Sequence, residues 1–97
     1  MVVSSEVKWP RMRFTLTRHA REEMERRAIP EDTVKEVLER PQQIAPGYGG
    51  KKVYQSKVNL GGGAVFLVRV IVAAETDPAV VVTVYKTGKI EKYWRSQ

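Results

Sequence analysis

The chain has 97 residues, 42% of them hydrophobic, and a net charge of +6 at neutral pH. This length fits one domain, and this hydrophobic content is enough for a packed interior, so disorder is not the default expectation. There is no cysteine for disulfides or thiolate metal sites, and no apolar run is long enough to cross a membrane. The N-terminus also lacks the pattern of a signal peptide, so we expect a cytoplasmic protein with no membrane partner.

The positive charge is unevenly distributed along the chain. Residues 1–27 carry a net charge of +3, residues 28–50 carry −2, and residues 51–97 carry +5. A basic surface of this kind favours a phosphate-bearing or acidic protein partner, although it also serves solubility alone.

The N-terminal part begins with a predicted lead-in and one short strand. Residues 1–11 are predicted to be flexible, and residues 12–97 to form one domain. In this domain Met12, Phe14 and Leu16 alternate with polar residues, which is the period of two that is typical of a strand.

Two short helices are predicted next. Thr17 is a suitable N-cap for the first helix, which covers residues 18–27 and repeats an apolar residue at every fourth position. Pro30 suits the opening of the second helix, and Pro41 ends it. Both helices are expected to place an apolar stripe on a sheet.

The second half changes to the period of strands. Three strands are predicted over residues 52–60, 64–74 and 79–86, and the glycines at 61–63 are predicted to join the first two as a hairpin. In the third strand, alternation puts on one face Val80, Val82 and Val84, and on the other Val81, Thr83 and Tyr85. The predicted fold class is α+β in the order β-α-α-β-β-β, with two N-terminal helices on one face of a mainly antiparallel sheet.

Residues for the common enzyme chemistries are few. One histidine and no cysteine cannot supply a closed set of metal ligands. No Gly-x-Ser-x-Gly elbow is present, and the glycines at 61–63 lack the Lys-Ser or Lys-Thr that follows them in a phosphate loop. We therefore expect no metal and no cofactor.

The single histidine, His19, falls about two positions inside the first predicted helix, where free N–H groups favour an anion such as phosphate. Helical spacing puts it on rows next to Glu23, Arg26 and Arg27. An imidazole can act as a general acid or base near neutral pH, and a guanidinium can stabilise a charged phosphate. A histidine that makes one structural hydrogen bond at the helix–sheet boundary is the alternative.

A second candidate set lies on the predicted sheet. Arg69 interrupts an apolar strand, and pairing with the next strand would put Thr83 and Tyr85 on the same face. Burying an unpaired arginine is costly, so either this face is exposed or Arg69 has an anionic partner. Ordinary cross-strand pairing on an exposed face is the alternative.

The tail at residues 88–97 combines basic residues with Tyr93 and Trp94. This composition suits stacking on unpaired bases, and it equally suits a protein interface, including one between two copies of the chain. Folding of the two rings back onto the core is a third interpretation, and the sequence does not choose among them.

Three segments together resemble an uncharacterised family of small bacterial proteins whose hallmark is a His-Ala…Arg helix. They are Thr17-x-His19-Ala20-x-x-x-Met24-x-x-Arg27-x-Ile29, Val37-Leu38-x-x-Pro41 and Val82-Thr83-Val84-Tyr85. The resemblance covers residues 12–87 and implies two N-terminal helices against an antiparallel sheet. That family is placed near the RelE and ParE toxins and the wider barnase–EndoU–colicin–RelE nuclease assemblage, which implies metal-independent cleavage of RNA.

The resemblance implies roles for individual residues of a toxin-like ribonuclease that uses 2′-OH attack. His19 and Arg27 match the helix motif, as general acid or base and as phosphate clamp. Thr83 and Tyr85 match the strand motif, and Tyr85 is expected to position or relay a proton. The residues expected to bind substrate are Arg69, Thr83, Arg26 and Lys86. RNA is the expected partner, a cognate antitoxin and a homodimer stay open, and a non-catalytic RNA- or protein-binding module is the alternative function.

Two positions depart from that family. Glu23 stands where many members carry a basic residue, which lowers the positive potential expected at a phosphate site. Ala28 stands where glycine is common before the isoleucine, and this difference bears mainly on the turn between the helices.

Overall fold

A computed structural model describes residues 13–96, so the predicted lead-in and Met12 lie outside the described residues. The elements follow in the order β1 (Phe14–Leu16), α1 (Arg18–Arg26), α2 (Glu31–Glu39), β2 (Gln43–Pro46), β3 (Lys52–Asn59), β4 (Val65–Ala73), β5 (Ala79–Thr87) and α3 (Ile90–Tyr93), with a 3-10 turn at Tyr48–Gly50. The α+β class is confirmed. The structure adds β2 and the short α3, which the sequence pattern did not predict.

The five strands form one sheet in the order β1-β5-β4-β3-β2. β1 pairs parallel to β5, and all the other pairs are antiparallel, so the sheet is mainly antiparallel as predicted. Gly61, Gly62 and Gly63 all have positive φ and join β3 to β4, which confirms the predicted hairpin. Among residues 13–96, no helix has the length and apolar character needed to span a membrane.

The core lies between the two N-terminal helices and one face of the sheet. It contains Ala20 and Met24 of α1, apolar residues of α2, and residues from one face of the central strands, namely Tyr54, Val68, Val70, Val72, Val81 and Val84. Thr17 caps α1 as predicted, because its hydroxyl accepts the N–H of Ala20 at 3.0 Å. Both helices therefore occupy one side of the sheet, and the opposite side is free for other residues.

The predicted alternation along β5 is wrong in its first half. Val81 and Val84 are both fully buried in the core although they are three positions apart. Val81 pairs with Val72 and Thr83 with Ile71, so Val82 is an extra residue in the ladder, which is a β-bulge. Thr17 holds this region, because its N–H donates to the carbonyl of Val81 and its hydroxyl to that of Val82, each at 3.1 Å.

The turn between α1 and α2 contains a non-glycine residue with positive φ. Ala28 has a φ of 56°, the left-handed conformation in which glycine is favoured. The N–H of Ile29 donates to the carbonyl of Met24 at 2.9 Å, the bond expected where a left-handed residue ends a helix. Ala28, which stands where the family commonly has glycine, therefore adopts a backbone conformation that favours glycine.

Candidate functional site

The side of the sheet opposite the helices carries a row of polar residues, which we call the polar face: Gln43, Gln55, Arg69 and Tyr85. Gln55 pairs directly with Arg69, and Arg69 with Tyr85, across the three neighbouring strands β3, β4 and β5. Their neighbours in sequence contribute to the helix-side core, so alternation directs these three side chains away from the helices. The predicted placement of Arg69 and Tyr85 on one face is confirmed. Thr83, two residues before Tyr85 and directly after the bulge, lies on the same face.

Arg69 is held by neutral groups. Its Nε donates to Oε1 of Gln55 at 2.9 Å, and Nη1 donates to the hydroxyl oxygen of Tyr85. Its guanidinium carbon lies 4.3 Å from the centre of the Tyr93 ring. Among the ion pairs of residues 13–96, none involves Arg69. The arginine is thus bonded by neutral groups and an aromatic ring, and no carboxylate of the described residues compensates its positive charge.

The C-terminal segment folds back onto the polar face. The carbonyl of Tyr93 accepts from Nε2 of Gln55 at 3.2 Å. The Gln43 amide bonds both backbone groups of Arg95, accepting its N–H at 3.0 Å and donating to its carbonyl at 2.6 Å. Nζ of Lys57 lies 4.1 Å above the Trp94 ring. Of the three interpretations of the tail, the structure shows folding back, onto the sheet rather than onto the helix-side core.

The helix-side candidates have a different environment. His19 is exposed in the first turn of α1. Glu23 pairs with Arg26 and, at 2.7 Å, with Nε of Arg27, and only 10% of the Glu23 side chain is exposed. Bonding by Arg27 and then by Arg26 lowers the pKa of Glu23 below its ordinary value of 4.5. One carboxylate therefore compensates part of the charge of both arginines.

The predicted site residues do not form one cluster. Arg69 and Tyr85 touch each other, whereas His19 and Arg26 lie on α1 and Arg27 directly follows it. This helix packs on the other side of the sheet. Lys86 also lies on the helix side, with its Nζ 5.0 Å above the Phe66 ring. Within residues 13–96, no hydrogen bond, ion pair or cation–ring contact links the α1 residues to the Arg69–Tyr85 pair.

Sequence reasoning missed Gln43 and Gln55. Gln55 lies in the strand predicted over residues 52–60, for which no functional residue was predicted, and Gln43 lies in β2, which was not predicted. The predicted hairpin could have identified Gln55, because a hairpin closed at residues 61–63 places Gln55 opposite Arg69. In the described part of the chain, no three His, Asp or Glu side chains are grouped as metal ligands would be.

Residues 16–86 match the family described as a domain of unknown function, DUF4258. The protein belongs to the DUF4258 family. Comparisons with curated proteins and with solved structures give no match. The resemblance to an uncharacterised family is thus confirmed, while its link to RelE and ParE toxins stays a prediction. The DUF4258 match includes both α1 and the Arg69–Tyr85 pair, and it ends before the C-terminal segment that covers Arg69.

Proposed function

We propose that this DUF4258 protein is a toxin-like ribonuclease whose phosphate-binding centre is Arg69 with Tyr85. The observation that supports this function is the guanidinium of Arg69 at the middle of the polar face, held by neutral acceptors. A guanidinium has five N–H donors, and the bonds to Gln55 and Tyr85 use two of them. The charge and the remaining donors suit a phosphodiester, which arginine binds strongly through paired N–H groups.

The proposed reaction is attack of a ribose 2′-oxygen on the adjacent phosphorus, with breakage of the bond from phosphorus to the 5′-oxygen. A base takes the 2′-OH proton, an acid protonates the departing 5′-oxygen, and the products are a 2′,3′-cyclic phosphate and a 5′-hydroxyl. Arg69 stabilises the negative charge that develops on the phosphorane. The Tyr85 oxygen accepts from Arg69, so its own proton is free to donate to a phosphate or leaving oxygen. His19, the base that the family resemblance implies, lies on α1 on the other side of the sheet, so it is not assigned to this centre.

The test is cleavage of a labelled unpaired RNA by the full chain in EDTA. Wild type is expected to cleave, and Arg69→Ala to lose about 100-fold or more in rate, as is typical when a charge-stabilising donor is removed. Arg40→Ala is the matched control, because Arg40 is an exposed arginine on the helix side of the molecule. Absence of wild-type cleavage in EDTA would refute metal-independent chemistry. His19→Ala is expected to cleave at the wild-type rate, and a loss as large as that of Arg69→Ala would place the active site on α1 instead.

A non-catalytic RNA- or protein-binding module is the second candidate. It is favoured by the pairing of Arg26 and Arg27 with Glu23, which leaves less free positive charge on α1 for a reacting phosphate. A binding module is expected to retain labelled RNA without shortening it, or to bind no RNA at all. It is also expected to be tolerated on expression, whereas a ribonuclease is expected to be hard to express without a cognate antitoxin.

A further inference from the structure

Gln55 is a polar side chain that is completely buried at the centre of the polar face. Its exposed fraction is 0%, and the other large side chains buried to this extent are leucine and valine. Burying an amide costs free energy unless its groups are bonded. The Gln55 amide is bonded throughout: Oε1 accepts from Arg69 at 2.9 Å, and Nε2 donates to Gln43 Oε1 at 2.8 Å and to the Tyr93 carbonyl at 3.2 Å.

These bonds set the direction of the amide. A glutamine amide can point either its oxygen or its nitrogen at a neighbour, and the surrounding donors and acceptors decide which. Two acceptors, on Gln43 and Tyr93, hold the nitrogen on one side, so the oxygen must point at Arg69. Because this bond holds Nε of Arg69, the other end of the guanidinium is directed to Tyr85 and away from β3.

On the basis of the proposed function, we propose that Gln55 is the positioning residue of Arg69, which it orients for phosphate without neutralising its charge. A glutamate at the same position would also accept the Nε hydrogen bond, but it would form an ion pair and cancel the charge. A neutral acceptor keeps both the direction and the charge. The contact from Tyr93 makes the C-terminal segment part of the support of Gln55.

The experiment measures binding of a fluorescent oligouridylate to the full chain over a range of salt concentrations. Gln55→Glu keeps the size and the bond accepted from Arg69, adds a charge and loses the two bonds that Nε2 donates to Gln43 and Tyr93. Its affinity is expected to fall about tenfold or more. Its salt dependence is also expected to fall, by the roughly 0.7 in log–log slope that one phosphate contact contributes for a single strand. Gln55→Met keeps the length without hydrogen bonds, and a smaller loss of affinity with the wild-type slope is expected.

Gln43→Met is a second variant that tests the same role if substitutions at the buried Gln55 unfold the chain. It removes one acceptor of Gln55 without touching Arg69, and a weaker affinity with an unchanged salt slope is expected. Thermal unfolding of each variant serves as the control that the variant is folded. Equal binding by wild type and Arg69→Ala would overturn the proposed function itself. Tighter binding by wild type than by Arg69→Ala, with Gln55→Glu matching wild type in affinity and slope, would overturn only the role of Gln55.

Discussion

Arginine side chains occur in two contrasting settings in this protein. At the C-terminal end of α1, Arg26 and Arg27 share the carboxylate of Glu23, so their charge is partly compensated within the fold. On the polar face, Arg69 is held by Gln55 and Tyr85, which carry no charge. The difference shows that the partner of an arginine determines how much of its positive charge is available to a ligand. Neutral acceptors orient a guanidinium and leave its charge for another molecule, whereas a carboxylate uses that charge within the fold.

The largest expected effect is the difference in RNA cleavage rate between variants that remove Arg69 and variants that remove Arg27. Arg69→Ala is expected to lower the rate of RNA cleavage about 100-fold, and Arg27→Ala no more than about threefold, because only Arg69 would lose a charge-stabilising role. Single-turnover cleavage of labelled RNA measures both rates. A rate loss with Arg27→Ala as large as with Arg69→Ala would contradict this distinction between the two groups of arginines. It would assign α1 to the active site, as the family resemblance implies.

A smaller effect is expected when Arg26 and Arg27 are released from their shared partner. Glu23→Gln removes the negative charge between them, and the affinity for a labelled RNA is expected to rise about three- to tenfold, with a steeper salt dependence. Glu36→Gln, which also removes one acid but on α2, is the control and is expected to change affinity less. If both variants behave alike, net charge alone explains the effect and the pairing on α1 does not.

The same pair makes the stability depend on pH. The pKa of Glu23 is lowered in the folded state, so its ionised form stabilises the fold at pH values above 4.5. This contribution is expected to be lost as the pH falls below 4.5 and Glu23 becomes protonated. Urea unfolding of wild type and Glu23→Gln should therefore differ at pH 7 and converge in acid. A difference between the two proteins that stays constant down to the acid range would contradict the pairing.

The tail should modulate the polar face. Tyr93 covers the guanidinium of Arg69, so Tyr93→Ala is expected to expose it and to raise RNA affinity about threefold, the effect of one weak cation–ring contact. Tyr48→Ala is the control, because Tyr48 is 94% exposed in the turn between β2 and β3. Weaker binding by Tyr93→Ala would show instead that the ring is a stacking platform for the RNA.

The smallest effect concerns the scaffold alone. Ala28→Gly is expected to stabilise the fold by about 0.5–1 kcal/mol, because the left-handed conformation costs alanine more than the extra entropy of an unfolded glycine. Urea unfolding measures the change, and RNA affinity should stay the same. Ala64→Gly, at an exposed alanine outside the left-handed region, should be neutral or slightly destabilising. Destabilisation by Ala28→Gly would contradict strain at this turn.

Local patterns were enough to predict several features correctly. The polar Thr17 before an apolar repeat predicted the start of α1, and the glycines at 61–63 predicted the hairpin. Alternation in β4 put Arg69 on the face that Tyr85 shares. These features depend on neighbours in sequence or on one strand pairing, so a periodicity is sufficient to find them.

Other features depend on contacts between distant parts of the chain. The bulge at Val82 is held by Thr17, which lies 65 positions earlier, so alternation within β5 could not reveal it. The contacts between the tail and the polar face join residues 38 and 52 positions apart. Gln55 therefore resembled an ordinary strand residue until its partners were known.

The sequence by itself determined the α+β class, the two short helices with the Thr17 cap of the first, the hairpin and the side of the sheet on which Arg69 lies. These features follow from local conformational preferences and from the period of apolar residues. Helical spacing also places Glu23 beside Arg26 and Arg27, whereas the tertiary structure alone decided that Arg69 is held by neutral side chains. Glu23 lies within one helical turn of both its arginines, whereas Gln55, Tyr85 and Tyr93 reach Arg69 from three separate elements. The charge available to a ligand depends on such partners, which only folding brings together.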